Sequence, residues 1–262
     1  MQIEANGIAM NYEIGGPEGA PLVMLSHSLG SSCIMWDNEF AALQERYRVL
    51  RYDTRGHGGT AAPDGPYDLD LLGDDAMALM DALGLGPLHW VGLSMGGMIG
   101  QNIALRQPQR LQSLSLCDTS ARVPAEARPI WDDRIAAARD EGMTALVEPT
   151  MQRWFTPGYL RSDPPAVAPI RAQFLATPAA GFIGCCQALK QLDYLDRLPA
   201  VKLPTVIIVG EEDMGTPVAA SEAMHARIAG SELVVIPSAA HLANVEQPDA
   251  FEQALFGFLD RQ

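Results

Sequence analysis

Residues 92–96 read Gly-Leu-Ser-Met-Gly, a G-x-S-x-G pattern that places a serine between two glycines. The pattern follows an apolar stretch typical of a buried strand, residues 88–91, and precedes a helical stretch, residues 95–106. A serine at such a strand-to-helix turn exposes its hydroxyl, and the small glycines let the turn close around a strained backbone. The start of the helix points N–H groups at developing negative charge. We therefore predict that Ser94 is a nucleophile for acyl transfer.

A base and an acid follow this serine in the order that the turn requires. Asp213 comes just after the apolar stretch 205–209, and His241 just after the stretch 232–236. Because the carboxyl ends of parallel strands meet at one edge of a sheet, the three side chains can converge there. We predict that His241 takes the Ser94 proton and that Asp213 fixes the imidazole and stabilises its charged form.

Three other carboxylates compete with Asp213 for the role of the acid. Glu211 and Glu212 are its neighbours in the chain. Asp118 is the stronger rival, because it also follows an apolar stretch, residues 111–117. The sequence favours Asp213 and leaves Asp118 open.

The second donor to an oxyanion is expected in the loop that follows the apolar stretch 22–26. Its residues 26–30 read Ser-His-Ser-Leu-Gly. We predict that the N–H groups of Leu29 and Met95 form the oxyanion hole, with Ser28 as an alternative donor.

Two histidines outside the predicted triad lie in tight loops. His27 and His57 are expected to orient these loops by hydrogen bonds rather than to act as bases. Histidines and carboxylates nowhere show the spacing of metal ligands, so we expect neither a metal nor another cofactor.

The order of the remaining elements predicts an α/β fold. Strand and helix patterns alternate in residues 1–121 and again in 199–262, which indicates a mostly parallel central sheet with helices on both faces. Residues 122–198 lack strand patterns and contain helical stretches at 130–141 and 182–192, separated by prolines. We predict that this segment is an inserted all-helical cap over the carboxyl edge of the sheet.

The charge of the chain is distributed unevenly. The formal net charge is −14, which argues against binding to nucleic acid. Residues 122–198 contain nine basic and nine acidic side chains, so the whole excess of negative charge lies in the predicted core. An anionic substrate would therefore have to be received by the neutral segment.

Further features predict a cytoplasmic protein that does not act on a membrane. No apolar run approaches the roughly 20 residues of a membrane helix, and the first residues have no signal-peptide pattern. Four cysteines lack metal-ligand spacing, and we expect reduced, mostly buried thiols.

The motifs together resemble the 3-oxoadipate enol-lactonase family over essentially the whole chain. Core segments 28–30, 50–58 and 92–101 are similar to this family but also to neighbours such as cofactor-free perhydrolases. The more discriminating segments lie in the cap and the tail: Arg-Ile-Ala-Ala at 134–137, Arg-Trp-Phe-Thr-Pro at 153–157, Cys-Cys-Gln-Ala-Leu at 185–189, and residues 241–248.

The resemblance implies an α/β-hydrolase fold and a Ser-His-Asp acyl-enzyme mechanism. It implies that the substrates are a small anionic lactone, 3-oxoadipate enol-lactone of the β-ketoadipate pathway of aromatic degradation, and water. Arg134 and Arg153 are candidates to receive the substrate carboxylate, and Trp131 and Trp154 are candidates for apolar walls.

Two other functions stay open at this point. A general carboxylesterase or perhydrolase of the same fold would use the same three residues. A non-enzymatic ligand receptor on this fold is disfavoured by the complete set of Ser94, Asp213 and His241.

Overall fold

A computed structural model describes all 262 residues as eight β-strands and eleven α-helices, with short 3-10 turns between them. The strands are β1 (Gln2–Ala5), β2 (Ile8–Gly15), β3 (Leu22–Ser26), β4 (Arg48–Tyr52), β5 (Leu88–Leu93), β6 (Leu111–Cys117), β7 (Thr205–Gly210) and β8 (Glu232–Ile236). The helices are α1 (Asp37–Leu43), α2 (Leu69–Ala82), α3 (Met95–Arg106), α4 (Arg128–Asp140), α5 (Met143–Trp154), α6 (Pro157–Arg161), α7 (Val167–Ala176), α8 (Ala179–Leu189), α9 (Val218–His225), α10 (Ala243–Glu246) and α11 (Pro248–Leu259).

All eight strands form one sheet in the order β1-β2-β4-β3-β5-β6-β7-β8. The strands from β4 to β8 in this order run parallel, and β1 and β2 are antiparallel at one edge. Every residue of β5 and β7 is buried, which fits the near-continuous apolar sequence of central parallel strands. The predicted α/β class and the mostly parallel sheet are confirmed.

The direction of the connections reverses at β3. From β3 the chain passes through α1 to β4 on one side, whereas from β5 it passes through α3 to β6 on the other side. Because such crossovers are right-handed, α1 and α3 lie on opposite faces of the sheet. The loops that follow β3 and β5 meet at this reversal, and ligands bind at such points in open α/β sheets.

Five helices, α4 to α8, lie between β6 and β7 in the chain; α4 packs on α5 and α8, and α5 packs on α7. We call residues 122–198, the segment predicted from the sequence, the cap. The chain segments that enter and leave the cap are bonded together: Val123 N–H donates to Leu192 O at 2.9 Å, and Tyr194 N–H donates to Ala121 O at 2.7 Å.

Some element bounds differ from the sequence prediction. The helix expected at 182–192 is α8, which begins at Ala179 because Pro178 can precede a first helical turn, and which ends at Leu189. Strand β1 was missed. It forms a hairpin with β2 through Asn6-Gly7, two residues with positive φ (47° and 74°) that suit a tight two-residue turn.

Taken one at a time, the helices of the structure are all too short or too polar to cross a membrane; only α7 and α8 together, bent by 94°, reach the length and composition of a span.

Candidate active site

Ser94 lies at the turn between β5 and α3 in a conformation that L-residues rarely adopt, with φ 54° and ψ −112°. Such a backbone costs on the order of 1–3 kcal/mol, so the surrounding structure must hold it. Three bonds do so: Ser94 N–H donates to Cys117 O at 2.9 Å, the Thr119 hydroxyl donates to Ser94 O at 2.7 Å, and the Trp90 indole N–H donates to Gly96 O at 3.0 Å.

The two glycines of the turn are required by close backbone approach. A Cβ atom at Gly92 would lie 2.2 Å from Gly96 O, and one at Gly96 would lie 2.1 Å from Ser26 O. Neither position therefore accepts a side chain unless the backbone shifts. The two glycines of the G-x-S-x-G pattern are thus explained by the tight closure of the turn and its close packing against β3.

His241 and Asp213 are in direct contact. His241 Nδ1 lies 2.7 Å from Asp213 Oδ2, and both side chains are buried. Because a carboxylate only accepts, Nδ1 carries the proton and Nε2 is left as the basic nitrogen. His241 and Ser94 line the same cavity, and no hydrogen bond joins Ser94 Oγ to Nε2 in this structure. Such bonds often tighten only when substrate is bound.

The surroundings of Asp213 favour its charged form. The Thr216 hydroxyl donates to Oδ2 at 2.6 Å, and the N–H groups of Gly215 and Thr216 donate to Oδ1 at 2.7 and 3.0 Å. Burial alone would raise the pKa of Asp213, but the charge of His241 and these hydrogen bonds outweigh it and lower the pKa below its ordinary value.

The rival acids do not contact His241. Asp118 Oδ1 accepts the Gly210 N–H at 2.7 Å, while its Oδ2 is buried without a partner. Burial and the nearby charge of Asp213 raise the pKa of Asp118 well above its ordinary value, which disfavours the charged form that would be needed to stabilise an imidazolium. Glu211 and Glu212 are exposed, and Glu211 accepts the Ser238 N–H.

The backbone N–H groups of Leu29 and Met95 make no hydrogen bond within the protein. In the same loop, Ser28 N–H donates to Met35 Sδ at 3.3 Å and Gly30 N–H donates to His57 Nε2 at 2.9 Å. Ser26 at the end of β3 pairs with Gly92 near the end of β5. The loop that contains Leu29 and the turn that contains Ser94 therefore start next to each other. Leu29 rather than Ser28 is therefore the available second donor to an oxyanion.

His27 and His57 hold this loop. His27 Nε2 accepts the Thr54 N–H at 2.9 Å and its Nδ1 donates to Ser28 O at 2.7 Å. His57 accepts from Gly30, as described above, and its Nδ1 donates to Arg55 O at 3.1 Å. Burial lowers the pKa of both histidines, that of His57 to about 3, so both are neutral at pH 7. All four ring nitrogens are occupied, which leaves neither ring free to act as a base.

A cavity of about 360 Å³ lies between the cap and the triad residues, and half of its lining residues are hydrophobic. Eight of the ten residues predicted for the triad, for the oxyanion hole with its alternative donor, or for substrate binding line this cavity: Ser28, Leu29, Ser94, Trp131, Arg134, Arg153, Trp154 and His241. The other two, Asp213 and Met95, lie behind His241 and next to Ser94 in the chain, respectively.

Arg134 and Arg153 enter the cavity without any carboxylate partner. Neither forms an ion pair; Arg153 donates only weakly to Thr150 Oγ at 3.4 Å, and the Arg134 guanidinium lies 4.8 Å from the ring centre of Trp131. Burial lowers the pKa of both arginines, and the charge of Arg134 adds to this effect at Arg153, whose pKa falls to about 10. Both are still cations at pH 7, so the cavity holds two unneutralised positive charges.

Some residues of the site were missed by the sequence prediction. Thr216 supports Asp213 from an Asp-x-Gly-Thr turn, whose aspartate and glycine are a recognisable turn signal. The apolar rings of Phe174 and Phe182 line the cavity from α7 and α8. They gave no signal because any helix that packs in a core carries such residues.

Comparison with known proteins places this geometry in a family. The model of the alpha/beta hydrolase fold matches residues 21–248. A 3-oxoadipate enol-lactonase of Acinetobacter baylyi is 36% identical over 99% of this chain and 96% of its own. The crystal structure of an enol-lactonase from Burkholderia xenovorans LB400 is 37% identical, with a TM-score of 0.96 over 99% of this chain and 100% of its own. A putative carbamate hydrolase of Caulobacter sp. (strain K31) is 31% identical over 94% of this chain and 93% of its own. The chain therefore belongs to the α/β-hydrolase family of ester-hydrolysing enzymes.

Proposed function

We propose that this enzyme hydrolyses 3-oxoadipate enol-lactone to 3-oxoadipate through an acyl-enzyme on Ser94. The observation that carries the proposal is the pair of unneutralised arginines, Arg134 and Arg153, in the cavity that Ser94 and His241 line. A small lactone with one free carboxylate matches this arrangement, because the carboxylate neutralises the arginines while the ring carbonyl faces the serine. The kinship with enol-lactonases supports the same substrate.

In the first half of the reaction, Ser94 Oγ attacks the lactone carbonyl carbon and its proton passes to His241 Nε2. The negative charge that develops on the carbonyl oxygen is stabilised by the N–H groups of Leu29 and Met95. The tetrahedral intermediate collapses, and the C–O bond to the enolate breaks. His241 returns its proton to the enolate oxygen, and the enol then tautomerises to the ketone while the acyl group stays on Ser94.

In the second half, His241 takes a proton from a water molecule that attacks the acyl carbon. Collapse of the new intermediate breaks the bond to Ser94 Oγ, which regains a proton from His241, and 3-oxoadipate leaves. Asp213 keeps the imidazole in the tautomer with Nδ1 protonated and stabilises the imidazolium that forms twice in each cycle. Trp131 and Trp154 provide apolar walls beside the ring, and no step needs a metal or another cofactor.

The testing experiment compares two substrates. Loss of enol absorbance reports hydrolysis of the lactone, and release of p-nitrophenolate reports hydrolysis of p-nitrophenyl acetate, a small neutral ester. We expect kcat/KM for the lactone to exceed that for the neutral ester by at least about 100-fold, equivalent to about 2.7 kcal/mol of transition-state stabilisation. A reversed preference would reject the lactonase and identify a general carboxylesterase.

A further inference from the structure

Glu246, at the end of α10, is a buried carboxylate that bridges the cap and the core. On the core side, its Oε2 accepts the N–H of Ala240, the residue before His241, at 3.0 Å. On the cap side, its Oε1 accepts the hydroxyl of Thr156, and the Thr156 N–H lies 3.2 Å from both carboxylate oxygens. One side chain therefore binds the loop of His241 and the segment of the cap that links α5 to α6.

The loop of His241 is bonded to the same cap segment on its other side. Leu242 N–H donates to Trp154 O at 3.0 Å, and the Tyr159 hydroxyl donates to Val245 O at 3.1 Å. Trp154 and Arg153 are the last residues of α5 and line the cavity. The residues before and after His241 are thus each fixed to the cap, one through Glu246 and one directly.

The chemistry of these bonds requires a carboxylate. Glu246 forms no ion pair, and the partners of its carboxylate are neutral N–H and O–H donors. Hydrogen bonds alone therefore stabilise the buried carboxylate. Such charge-assisted bonds are roughly twice as strong as neutral ones. A glutamine of the same shape has one oxygen and one NH₂ group, and the NH₂ group would face a donor and leave it unsatisfied.

We propose that Glu246 is a positioning residue that keeps His241 aligned with the cap wall formed by Arg153 and Trp154. The proposal rests on the proposed roles of Ser94 and His241, but not on the identity of the lactone. Loss of this alignment lowers the rate of the chemical steps more than it weakens substrate binding, because misplacement of a base by about 1 Å can cost on the order of 100-fold in rate.

The test uses p-nitrophenyl acetate and the full-length enzyme at a temperature well below the melting temperature of each variant. We expect Glu246→Gln to lower kcat at least 10-fold with less than a threefold change in KM. On the cap side, Thr156→Val should lower kcat at least threefold, and Thr156→Ser, which keeps the hydroxyl, should restore it. Tyr159→Phe removes a hydrogen bond between the same segments that ends at Val245, well after His241 in the chain, and it leaves the hydrogen bonds of Glu246 in place. Its kcat should therefore stay within twofold of the wild type.

A folded Glu246→Gln variant with kcat within twofold of the wild type would overturn the proposal. So would a loss of kcat in Glu246→Gln with none in Thr156→Val, because Glu246 would then serve the histidine loop alone. An equal loss of kcat in Tyr159→Phe and Glu246→Gln would also overturn it, because general loosening of the cap would then explain the effect. If Glu246→Gln does not fold, the two Thr156 variants test the proposal: a kcat of Thr156→Val equal to that of Thr156→Ser would overturn it. Failure of the wild type to open the lactone would reject the proposed substrate but leave these comparisons intact.

Discussion

The guanidinium of Arg134 lies close enough to Arg153 for its charge to add to the effect of burial in lowering the pKa of Arg153 to about 10. Two like charges in a partly buried cavity repel each other and are incompletely solvated, and neither arginine forms an ion pair; at Arg153 the charge of Asp213 offsets these effects only in part. A bound carboxylate relieves both effects, so the arrangement favours an anionic substrate over a neutral one of the same shape.

The first prediction concerns these arginines. Arg153→Gln or Arg134→Gln should raise KM for the enol-lactone about 10- to 100-fold, since a hydrogen bond to a charged group contributes about 1.5–3 kcal/mol. Steady-state kinetics with the lactone and with p-nitrophenyl acetate measure this effect, and KM for the neutral ester should change less than threefold. Arg171→Gln is the matched control, because Arg171 is a cap arginine already paired with Glu148. Equal losses for both substrates would contradict carboxylate binding by this pair.

The second prediction separates the two aspartates. Asp213→Asn should lower kcat on the order of 10³- to 10⁴-fold, because an amide cannot keep the correct tautomer of His241 or stabilise its charge. Asp118→Asn should leave kcat within about threefold, since His241 bonds to Asp213 rather than to Asp118 and an amide oxygen can still accept the Gly210 N–H. Turnover of the lactone by both variants measures the difference. The opposite ranking would move the acid to the end of β6.

The third prediction concerns the nucleophile. A fluorophosphonate probe should label the wild type at one site, and Ser94→Ala should abolish the labelling, because the probe reacts with an activated serine. Intact-protein mass spectrometry measures the added mass. Asp213→Asn provides a folded control that should label more slowly rather than not at all. An unlabelled wild type would indicate a binding protein instead of an enzyme.

The fourth prediction concerns stability and pH. Glu39 is fully buried beside Asn244, and burial raises its pKa to about 8. The pKa of Glu39 in the unfolded chain is about 4.3. At a pH between these two pKa values, the folded protein therefore keeps a proton that the unfolded chain has released. The stability contributed by protonated Glu39 is fully present below about pH 4.3 and is lost as the pH rises towards about 8.

Glu39→Gln removes this titration while it keeps a neutral polar group of similar shape. The melting temperature of the variant relative to the wild type should therefore rise steadily between pH 5 and pH 8, as measured by circular dichroism. A constant difference across this range would show that Glu39 does not change its ionisation on folding.

Much of the sheet and the order of the site residues could be predicted because both depend on local patterns. Strands such as β6 and helices such as α3 have the predicted bounds, since apolar runs and helical periodicity identify buried elements directly. Strand β1 was harder to predict because it has only four residues, lies at the edge of the sheet and is largely exposed. Its one clear signal was the Asn6-Gly7 turn.

The supports of the site could not be predicted because they join residues that are distant in the chain. Glu246 bonds with Thr156, 90 residues earlier, and Thr119 bonds with the backbone of Ser94 from another strand end. Nothing in the local sequence of a glutamate or a threonine distinguishes such a partner from an exposed polar residue. The contact between Asp213 and His241 was accessible only because both residues follow parallel strands that end at one edge.

The central claim is that Ser94 opens a lactone whose carboxylate is held by Arg134 and Arg153. Its most direct test compares the rate of ring opening, followed as loss of enol absorbance, for 3-oxoadipate enol-lactone and for the methyl ester of its free carboxylate. The two molecules share one ring and differ in charge. We predict that kcat/KM for the anionic lactone is at least about 100-fold higher, the factor expected for about 2.7 kcal/mol of charge-assisted binding. Equal values for the two lactones, or no ring opening of the anionic one, would contradict the account.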